Sequence, residues 1–413
     1  VIGATVIVKG TSNGVVTDLD GNYVLTNVTH GAIIEISYVG YITKSLIANG
    51  MSMGTTTLRE DYKNLEELVV IGYGTQRKAD LTGSVANVDA SKLNAQSNAT
   101  IGQALQGKIA GVDIVSQGGY PGGGTRIMIR GIGTLNNAAP LYVVDGMYMS
   151  SIDHINPSDI ETIDVLKDAS SSAIYGSRAA NGVVIITTKS GSNTDGIPVV
   201  NATASIGINV PSKYLDLLNA SEWARVTTES RAAAGLSALD MAKNLDQRED
   251  NDWQDIMFSP AVMQNYNLSV SGGGKYTKYY NSFCYTDQDG TMKNTCFKRY
   301  TMQSKLDFQK SFVNMGTNVI LTYDENRPML SDIRGGMIGQ TLLSIPTLAR
   351  YDSNHVGGYG GTEGDVLNLR NPLGMADNQL YRYRVNNTKI YANIYISIEP
   401  IKGLKYKPVS YTH

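Results

Sequence analysis

Apolar and polar residues alternate one by one along several stretches of the chain from about residue 197 onward. Between residues 299 and 309, Tyr300, Met302 and Leu306 fall on one face of an extended strand, and charged or amide side chains fall on the other. The stretches are about ten residues long, which suits a tilted transmembrane strand, and their charged faces are typical of a watery lumen. Soluble sandwiches also alternate, so the strand length and the charges decide the interpretation. The pattern predicts part of a transmembrane antiparallel β-barrel over residues 193–413.

The predicted barrel is incomplete within this chain. About seven candidate strands precede residue 413, whereas plugged outer-membrane barrels have about 22. Residue 1 is Val rather than Met, so we interpret the chain as a fragment and expect the remaining strands beyond residue 413. A polar, helical insertion near 221–250 and a Gly-rich segment at 328–380 fit long loops at one end of the barrel.

The two cysteines, Cys284 and Cys296, lie in this alternating region. Cys284 is in phase with Tyr280 on its strand, and Cys296 is in phase with Tyr300 on the next strand. These phases place the two thiols on opposite faces of the sheet. We therefore expect no disulfide between them, and two cysteines without a CxxC spacing also predict no zinc site.

Residues 79–192 have the pattern of a mixed α/β domain. The sequence predicts short helices at 101–109 and at 157–163, the second with Pro157 near its start. Strands are predicted at 111–115, 126–130, 141–144, 163–167 and 182–188. Residues 102–108 match GxxxxGK, but Ile109 replaces the Ser or Thr that a phosphate-binding loop requires.

Residues 1–58 predict a small β-sandwich of short strands at 4–8, 14–17, 23–25 and 33–38. Asp18, Asp20 and Asn22 resemble the start of a calcium-binding loop. Tyr23 stands where that loop needs Gly and Thr29 where it needs Glu, so we interpret the segment as a hairpin turn.

Residues 59–78 form a polar linker that contains one apolar island at 65–74. A β-branched island between charges and glycines can pair as an added strand with the sheet edge of another protein. It can equally be an ordinary edge strand of the next domain. The residues alone leave these two interpretations, a strand added to a partner protein and an edge strand of the next domain, equally open.

Composition excludes some functions and leaves others open. The chain has 35 basic and 37 acidic residues, which predicts no nucleic-acid partner. It contains 43 Gly and 25 Tyr against 5 Phe, a bias that favours turn-rich β-structure. No run of 18 apolar residues occurs, so the sequence contains no conventional transmembrane helix.

Two other classes of protein compete with a barrel. An enzyme would use one of the four histidines, His30, His154, His355 or His413, as its base. None has the setting of a nucleophile or of a metal ligand, and His154 is expected in a solvated turn, so we predict no catalytic residues, no metal and no cofactor. A β-rich adhesion or scaffold protein would share the alternation but would need no plug and no tethered strand.

Several longer motifs resemble those of SusC/RagA-type TonB-dependent outer-membrane transporters of Bacteroidetes. GATVIVKGTSNGVVTDLDGNYVL is similar to the carboxypeptidase-regulatory-like extension of that family, and LEELVVIGYGTQRKADLTGSV to its TonB-box region. IRGIGTLNNAAPLYVVDG and INPSDIETIDVLKDASSSAIYGSRAANGVVIITTKSG resemble its plug signature. NDWQDIMF, NLSVSGG and DQDGTMKNTCFKRY look like its first barrel strands.

The resemblance implies a mainly β protein with an N-terminal sandwich at 1–58, a linker with the TonB box at 59–78, an α/β plug domain at 79–192 and the first part of the barrel at 193–413. It implies TonB-dependent import of a nutrient across the outer membrane, beneath a SusD-like surface lipoprotein. The cargo would be an oligosaccharide or, alternatively, a peptide. The binding residues for cargo stay unknown.

The resemblance also assigns candidate site residues. The TonB box, which TonB would bind in the periplasm, comprises Glu67, Leu68, Val69, Val70 and Ile71. Arg130, Gly131, Asp145 and Gly146 lie in the plug signature, at the ends of predicted strands. Buried charges need partners, so we expect Arg130 and Asp145 to form ion pairs or to contact the barrel wall rather than to bind cargo.

Overall fold

The computed structural model describes residues 3–11, 13–18, 20–38, 41, 43–50, 54–58, 68–71, 74–77, 85–89, 100–116, 119–134, 138–329, 336–355, 357–362, 369–377, 379–401 and 404–412. The chain divides into two compact units, Val1–Thr82 and Gly83–His413. No helix among the described residues is long and apolar enough to cross a membrane.

The first unit contains a four-stranded antiparallel sheet with the order β2-β1-β3-β4. Its strands are β1 (Thr5–Val8), β2 (Gly14–Val16), β3 (Ile33–Ser37) and β4 (Lys44–Ile47). Alternate residues such as Val6, Ile34 and Ile36 are buried on one face. Tyr23 and Leu25 pack against that face. Alternation therefore decides which side of each strand forms the core.

Two details of this unit differ from the sequence prediction. The segment 23–25 forms no strand, because its side chains contribute to the core from an irregular segment. β4 was not predicted, because only Leu46 of its sequence KSLI is even partly buried, so the strand has no alternating pattern. Asp18 accepts hydrogen bonds from the backbone N of Asp20 (3.0 Å) and of Asn22 (2.7 Å), the pattern of an Asx-stabilised turn.

The apolar island forms a β-hairpin in the first unit. Its strands are β5 (Leu68–Ile71) and β6 (Gly74–Arg77), and Val69 pairs with Gln76 and Val70 with Thr75. Residues 65–67 and 72–73 of the island lie outside the described residues.

The plug domain, which we define as the described part of residues 85–188, is built on a five-stranded mixed sheet with the order β11-β10-β13-β12-β7. The strands are β7 (Val85–Asp89), β10 (Leu141–Val144), β11 (Met147–Met149), β12 (Ile160–Leu166) and β13 (Val183–Thr188). β10 and β13 are parallel, and the other neighbours are antiparallel. A mixed sheet of this kind needs a cover on both faces, which the rest of the domain supplies.

Two apolar clusters cover the faces of this sheet. The larger includes a hairpin of β8 (Val112–Ser116) and β9 (Thr125–Ile129) and the helix Ile101–Leu105. The smaller includes residues of the 3₁₀ segment Ala173–Ala179, which follows the helix Ala169–Ser172. Burial of β-branched side chains on both faces explains why the central strands have few polar residues.

The predicted helix at 157–163 is wrong beyond its first turn. Only Pro157–Asp159 is helical, as a single 3₁₀ turn, and β12 begins at Ile160. The β-branched residues of β12 are buried between the layers, and this burial outweighs the helical start signal of the Asn-Pro pair. The helix predicted at 101–109 ends at Leu105, because Gly107 has a positive φ of 73°. β7 and β11 were not predicted.

The wall, which we define as strands β14–β21, is one antiparallel sheet of long, consecutively paired strands. Its strands are β14 (Val199–Asn209), β15 (Ala261–Gly273), β16 (Thr277–Asp289), β17 (Cys296–Lys310), β18 (Val313–Arg327), β19 (Val385–Ile401), β20 (Leu404–Tyr406) and β21 (Val409–Thr412). β20 and β21 both pair with β19 on either side of Pro408, which has no N–H to donate, and they act as one interrupted strand. The described residues of the wall thus form seven strands, when β20 and β21 are taken as one, as the alternation predicts.

The long connections of the wall share one end and one apolar core. The β14–β15 loop contains the helices Ala220–Ala233 and Trp253–Met257, and the β18–β19 loop contains Met337–Leu343 and Pro372–Ala376. Trp253 donates its indole N–H to the carbonyl of Ile345 at 2.9 Å and so joins the two loops. We call this assembly the loop layer. At the other end, residues 274–276 and 311–312 make short turns.

Candidate functional site

The wall is polar on the face that meets the plug domain and apolar on the other. On β17, Arg299, Thr301 and Gln303 are 7%, 2% and 1% exposed, whereas Tyr300 and Met302 are 38% and 49% exposed. A soluble β-protein would bury the apolar set instead. This inverted distribution matches a barrel whose outside faces lipid.

The outer face also carries a row of four tyrosines. Tyr266, Tyr285, Tyr300 and Tyr323 are direct cross-strand partners on β15 to β18. Successive ring centroids are 6.4, 4.9 and 6.3 Å apart. Amphipathic rings at one level of a barrel are typical of the boundary between hydrocarbon and head groups. The row lies on the side of the wall nearer the loop layer.

The two cysteines, Cys284 and Cys296, follow the same division of the wall into an inner and an outer face. Cys284 is buried on the inner face, Cys296 is half-buried on the outer face, and both thiols are free. The prediction that no disulfide joins them is confirmed.

Asp145 and Gly146 form the two-residue turn between β10 and β11. Their φ values are 47° and 86°, as a type I′ turn requires, and Asp-Gly is a preferred sequence for this turn. The turn points the Asp145 carboxylate toward the neighbouring strand β13, where the backbone N of Thr188 donates to it at 3.0 Å.

The same carboxylate lies at the wall. The amide of Asn318 on β18 donates to it at 2.6 Å, and Lys305 Nζ on β17 lies 3.4 Å away. Asn393 on β19 donates to the backbone carbonyl of Asp145 at 3.2 Å. Three adjacent strands therefore hold one turn of the plug domain. Lys305 and Asp145 are 14% and 9% exposed, which strengthens their attraction relative to that of a surface pair.

Arg130 and Gly131 occupy a comparable turn after β9, with φ values of 58° and 88°. Arg130 forms an ion pair with Asp168 of the plug domain itself, and its side chain is 55% exposed. The two predicted plug residues are thus in different settings: Asp145 contacts the wall, whereas Arg130 pairs within its own domain.

A second polar contact joins the plug domain to the wall through Arg299. Its guanidinium bonds both carboxylate oxygens of Asp324, at 2.6 and 3.2 Å, and both residues are buried. It also donates to the backbone carbonyl of Asp153. Thr322, on the same inner face, donates to the carbonyl of His154 at 3.2 Å. This bidentate pair fixes the arginine so that its remaining donors face the plug domain.

His154 lies in this contact and is fully buried, so the predicted solvated turn is wrong. Its ring stacks on Tyr391 of β19, with centroids 4.5 Å apart and planes 12° from parallel. Neither ring nitrogen has a hydrogen-bond partner. Burial, with Lys389 and Arg299 nearby, lowers the pKa of His154 to about 3 from its ordinary 6.5. The ring is therefore neutral at physiological pH.

A third contact involves Asp159 at the end of the 3₁₀ turn. Asp159 is buried, and Tyr280 of β16 donates its hydroxyl to the carboxylate at 2.8 Å. Burial raises the pKa of Asp159, and the hydrogen bond from Tyr280 opposes that rise. Asp145, the Asp153–His154 segment and Asp159 thus supply three polar contacts to the wall, beside the apolar packing of Ile320 and Tyr391 against the core of the plug domain.

The partners on the wall were not predicted individually. Lys305, Asn318, Arg299 and Asp324 belong to the polar set that the alternation marks as inward-facing. The phase of alternation shows which face they occupy, but only the strand register shows which of them meet the plug domain. Of the predicted TonB box, residues 68–71 form β5, and Glu67 lies outside the described residues.

Comparison with known proteins agrees with this geometry. Residues 77–183 match the TonB-dependent Receptor Plug Domain, and residues 1–70 match the CarboxypepD_reg-like domain. Over 411 residues the chain is 35% identical to the TonB-dependent receptor P39 of Formosa agariphila, covering 98% of this chain and 38% of that protein. It is 37% identical to the TonB-dependent receptor SusC of Bacteroides thetaiotaomicron, covering 90% of this chain and 37% of that protein.

Among solved structures, the RagAB peptide importer in its open-open state is similar, with a TM-score of 0.71 and 27% identity over 84% of this chain and 42% of that chain. The chain belongs to the SusC/RagA-type TonB-dependent transporters, a family of outer-membrane β-barrel proteins. It spans about two fifths of the length of the curated relatives it matches.

Proposed function

We propose that the protein imports a nutrient across the outer membrane, and that the plug domain occludes the barrel until TonB acts on it. The observation that carries this proposal is the plug domain seated by polar contacts against a wall of inverted polarity. Polar contacts in a wet lumen exchange readily for water, so a domain held by them is displaced at less cost than one held by an apolar interface. A pulling force can therefore move the plug domain while its own core stays folded.

TonB would grasp the segment Glu67, Leu68, Val69, Val70 and Ile71 by strand addition, in which backbone groups supply the affinity. Replacing both Val69 and Val70 with proline removes two backbone donors from that added strand. We expect TonB-dependent uptake to be lost while the protein still reaches the outer membrane.

The matched control places proline at Thr75 and Gln76, the hairpin partners of those valines. This variant breaks the β5–β6 pairing but leaves all donors of the proposed TonB segment intact. Uptake should persist in it. Loss of uptake in both variants would assign the effect to the hairpin, and normal uptake in the valine variant would refute the proposed TonB box.

A SusD-like surface lipoprotein would cover the loop layer. The layer is preassembled around a core of its own, and it exposes apolar side chains that a partner could bury. These are Leu215, Leu217, Leu218, Val226, Leu236, Ile338, Leu343 and Tyr351. Affinity purification of the full-length protein in mild detergent should recover the lipoprotein in stoichiometric amount. Purification of the transporter alone under those conditions would contradict this part of the proposal.

The proposed cargo is an oligosaccharide. Amide and hydroxyl side chains dominate the inner face of β15, at Asn265, Asn267, Ser269 and Ser271, and such groups bond sugar hydroxyls without requiring charge. A peptide is the second candidate, because the similar RagAB structure is that of a peptide importer. Uptake assays with fluorescent neutral oligosaccharides and with fluorescent peptides, with and without TonB, distinguish the two.

The roles we propose for the predicted plug residues are structural. Asp145 and Gly146 would hold the plug domain to the wall, and Arg130 and Gly131 would stabilise the plug domain itself. The support for this division is that Asp145 contacts Lys305 and Asn318, whereas Arg130 pairs with Asp168. We propose no catalytic activity.

A further inference from the structure

A basic cavity of about 280 Å³ opens on the wall at the end that carries the loop layer. Its lining includes Lys298 of β17, Glu325 and Arg327 of β18, and Arg384 just before β19. β18 is the middle one of these three strands and is paired on both sides up to this point. The backbone pairing therefore fixes the positions of the lining residues on β17 and β18.

The cavity lies on the same face of the wall as the tyrosine row. Lys298 is in phase with Tyr300 on β17, and Arg327 is in phase with Tyr323 on β18. At about 3.3 Å per residue, the two basic residues lie about 7 and 13 Å beyond the row, toward the loop layer. Because such a row is typical of the boundary between hydrocarbon and head groups, the cavity lies at the level of the head groups.

Two arginines of the cavity lie side by side without an anionic partner. Asn326 and Val385 are cross-strand partners, so Arg327 and Arg384 are the next residues in that register. Like charges directly opposite each other on a sheet are destabilising. Within the described part of the chain, no carboxylate forms an ion pair with either guanidinium. An anion bound between the two groups would replace this repulsion with attraction.

The charge of the cavity fits one phosphate group. Lys298 is paired with Asp287 at 3.1 Å, so the two arginines supply the positive charge that is not neutralised. Glu325 also lines the cavity, and two arginines against one glutamate leave one unit of positive charge. A phosphodiester carries one negative charge, and guanidinium groups bond phosphate oxygens in a bidentate manner.

The outer face continues as an apolar surface on the other side of the tyrosine row. There Met302, Leu321 and Ile390 are cross-strand partners, and all three are exposed. A lipid with its phosphate in the cavity would place its acyl chains over this surface. The cavity is smaller than the sites that hold drug-sized ligands, as expected when it receives a head group alone. A free phosphate ion would make no contact with the apolar surface.

We propose that this cavity binds the phosphate of an anionic lipid in the outer leaflet, with Arg327 and Arg384 bonded to the phosphate oxygens. The loop layer marks the outer leaflet, because outer-membrane barrels have long loops outside the cell and short turns in the periplasm. The bound lipid stabilises β18 and β19 where the two arginines would otherwise repel each other. The inference concerns neither the cargo nor the TonB box.

The test measures lipid binding by the full-length protein in a neutral detergent. Native mass spectrometry follows titration with phosphatidylglycerol, whose head group is anionic, or with phosphatidylcholine, whose head group has no net charge. Inorganic phosphate is added as a competitor. The double variant Arg327→Gln/Arg384→Gln removes both guanidinium groups. The matched control is Arg382→Gln, because Arg382 is exposed and does not line the cavity.

We expect the double variant to bind phosphatidylglycerol about tenfold more weakly, since two charge-assisted donors are lost, and Arg382→Gln to bind it like the wild type. Glu325→Gln should bind it several-fold more tightly, because it removes the negative charge from the cavity. A gain in affinity does not result from damage to the fold. Glu325→Gln therefore also covers the case in which the double variant fails to assemble.

Equal affinity of the wild type for the two lipids would overturn the proposal. Unchanged binding of phosphatidylglycerol by both the double variant and Glu325→Gln would overturn it as well. Displacement of phosphatidylglycerol by inorganic phosphate at the same concentration would assign the cavity to a free anion and so exclude the lipid. A preference for phosphatidylglycerol that the double variant loses and Glu325→Gln increases would support the lipid site.

Discussion

The interior of the plug domain and its contact with the wall are built from opposite chemistry. Inside the domain, fully buried residues such as Ile163, Val184 and Ile186 form a dry apolar core. At the wall, Asp145, Asp159 and the Asp153 carbonyl meet lysine, amide, tyrosine and arginine partners. Ile320 and Tyr391 are the wall residues that join the apolar core. We call these polar contacts between the plug domain and the wall the seat. A domain with an apolar core of its own and a polar seat can move as a unit, as the proposed import requires and a static scaffold does not.

The largest effect should come from breaking the buried pair in the seat. Arg299→Ala leaves the Asp324 carboxylate buried and unpaired, which costs about 3–5 kcal/mol. We expect hydrogen exchange to increase in β17, in β18 and in the plug segment around Asp153, measured on the full-length protein in detergent.

The double variant Arg299→Met/Asp324→Leu tests whether the Arg299–Asp324 ion pair stabilises the wall strands themselves or serves only to hold the plug domain. An apolar pair of similar volume should restore the protection of the strands, yet it removes the hydrogen bond to the Asp153 carbonyl. We therefore expect protection from hydrogen exchange to return in β17 and β18 and to stay low only around Asp153. Full restoration there would show that Arg299 does not hold the plug domain.

Ile163→Ala probes the interior and should cost about 2–5 kcal/mol, through lost burial and a residual cavity. Unlike the seat variants, it should make the plug domain itself sensitive to protease and reduce the amount of protein in the membrane. The control is Ile132→Ala, since Ile132 is 64% exposed and such sites tolerate change within about 0.5 kcal/mol. Equal protease sensitivity in the two variants would contradict the distinction between interior and seat.

Asp145→Ala should loosen the seat without unfolding the domain, because it removes acceptors from Thr188 and Asn318 at a cost of about 1–3 kcal/mol. We expect cells to become sensitive to large antibiotics without energy input, with cargo affinity nearly unchanged. Since alanine also strains a turn with positive φ, Lys305→Met is the companion variant that removes the ion pair from the wall side alone. A variant that kept its seal but lost cargo binding would assign Asp145 to the substrate site.

At neutral pH the smallest effect is that of His154, whose protonation matters only below about pH 6.5. Its pKa in the folded protein, about 3, is below the ordinary 6.5, so the unfolded chain binds a proton between these values and the folded protein does not. The stability of the seated plug domain should therefore fall as pH decreases from about 6.5 toward 3, by up to about 1.4 kcal/mol per pH unit. It should not change above 6.5 on this account.

His154→Phe keeps the stacking on Tyr391 and removes the titration. We expect the hydrogen-exchange protection around residue 154, taken relative to the intrinsic exchange rate at each pH, to become independent of pH over that window in the variant, while it falls on acidification of the wild type. An equal response of the two proteins would assign the acid sensitivity to other groups.

The sequence by itself determined the elements whose signal is local. Alternation predicted the wall strands and the face of each residue, because the side-chain period of a strand is two. The Asp-Gly pair of residues 145–146 carried the signal of its turn, and the phases of Cys284 and Cys296 excluded a disulfide. The motifs of the plug signature were long enough to predict the family.

Only the tertiary structure decided which residues meet. Nothing local distinguishes Arg299 or Lys305 from other inward-facing polar residues of β17, since their partners Asp324, Asp153 and Asp145 come from other strands and from the plug domain. The fully buried position of His154 and the strand that begins at Ile160 were missed for the same reason. Burial and pairing depend on segments far apart in the chain, and these long-range contacts override local propensity.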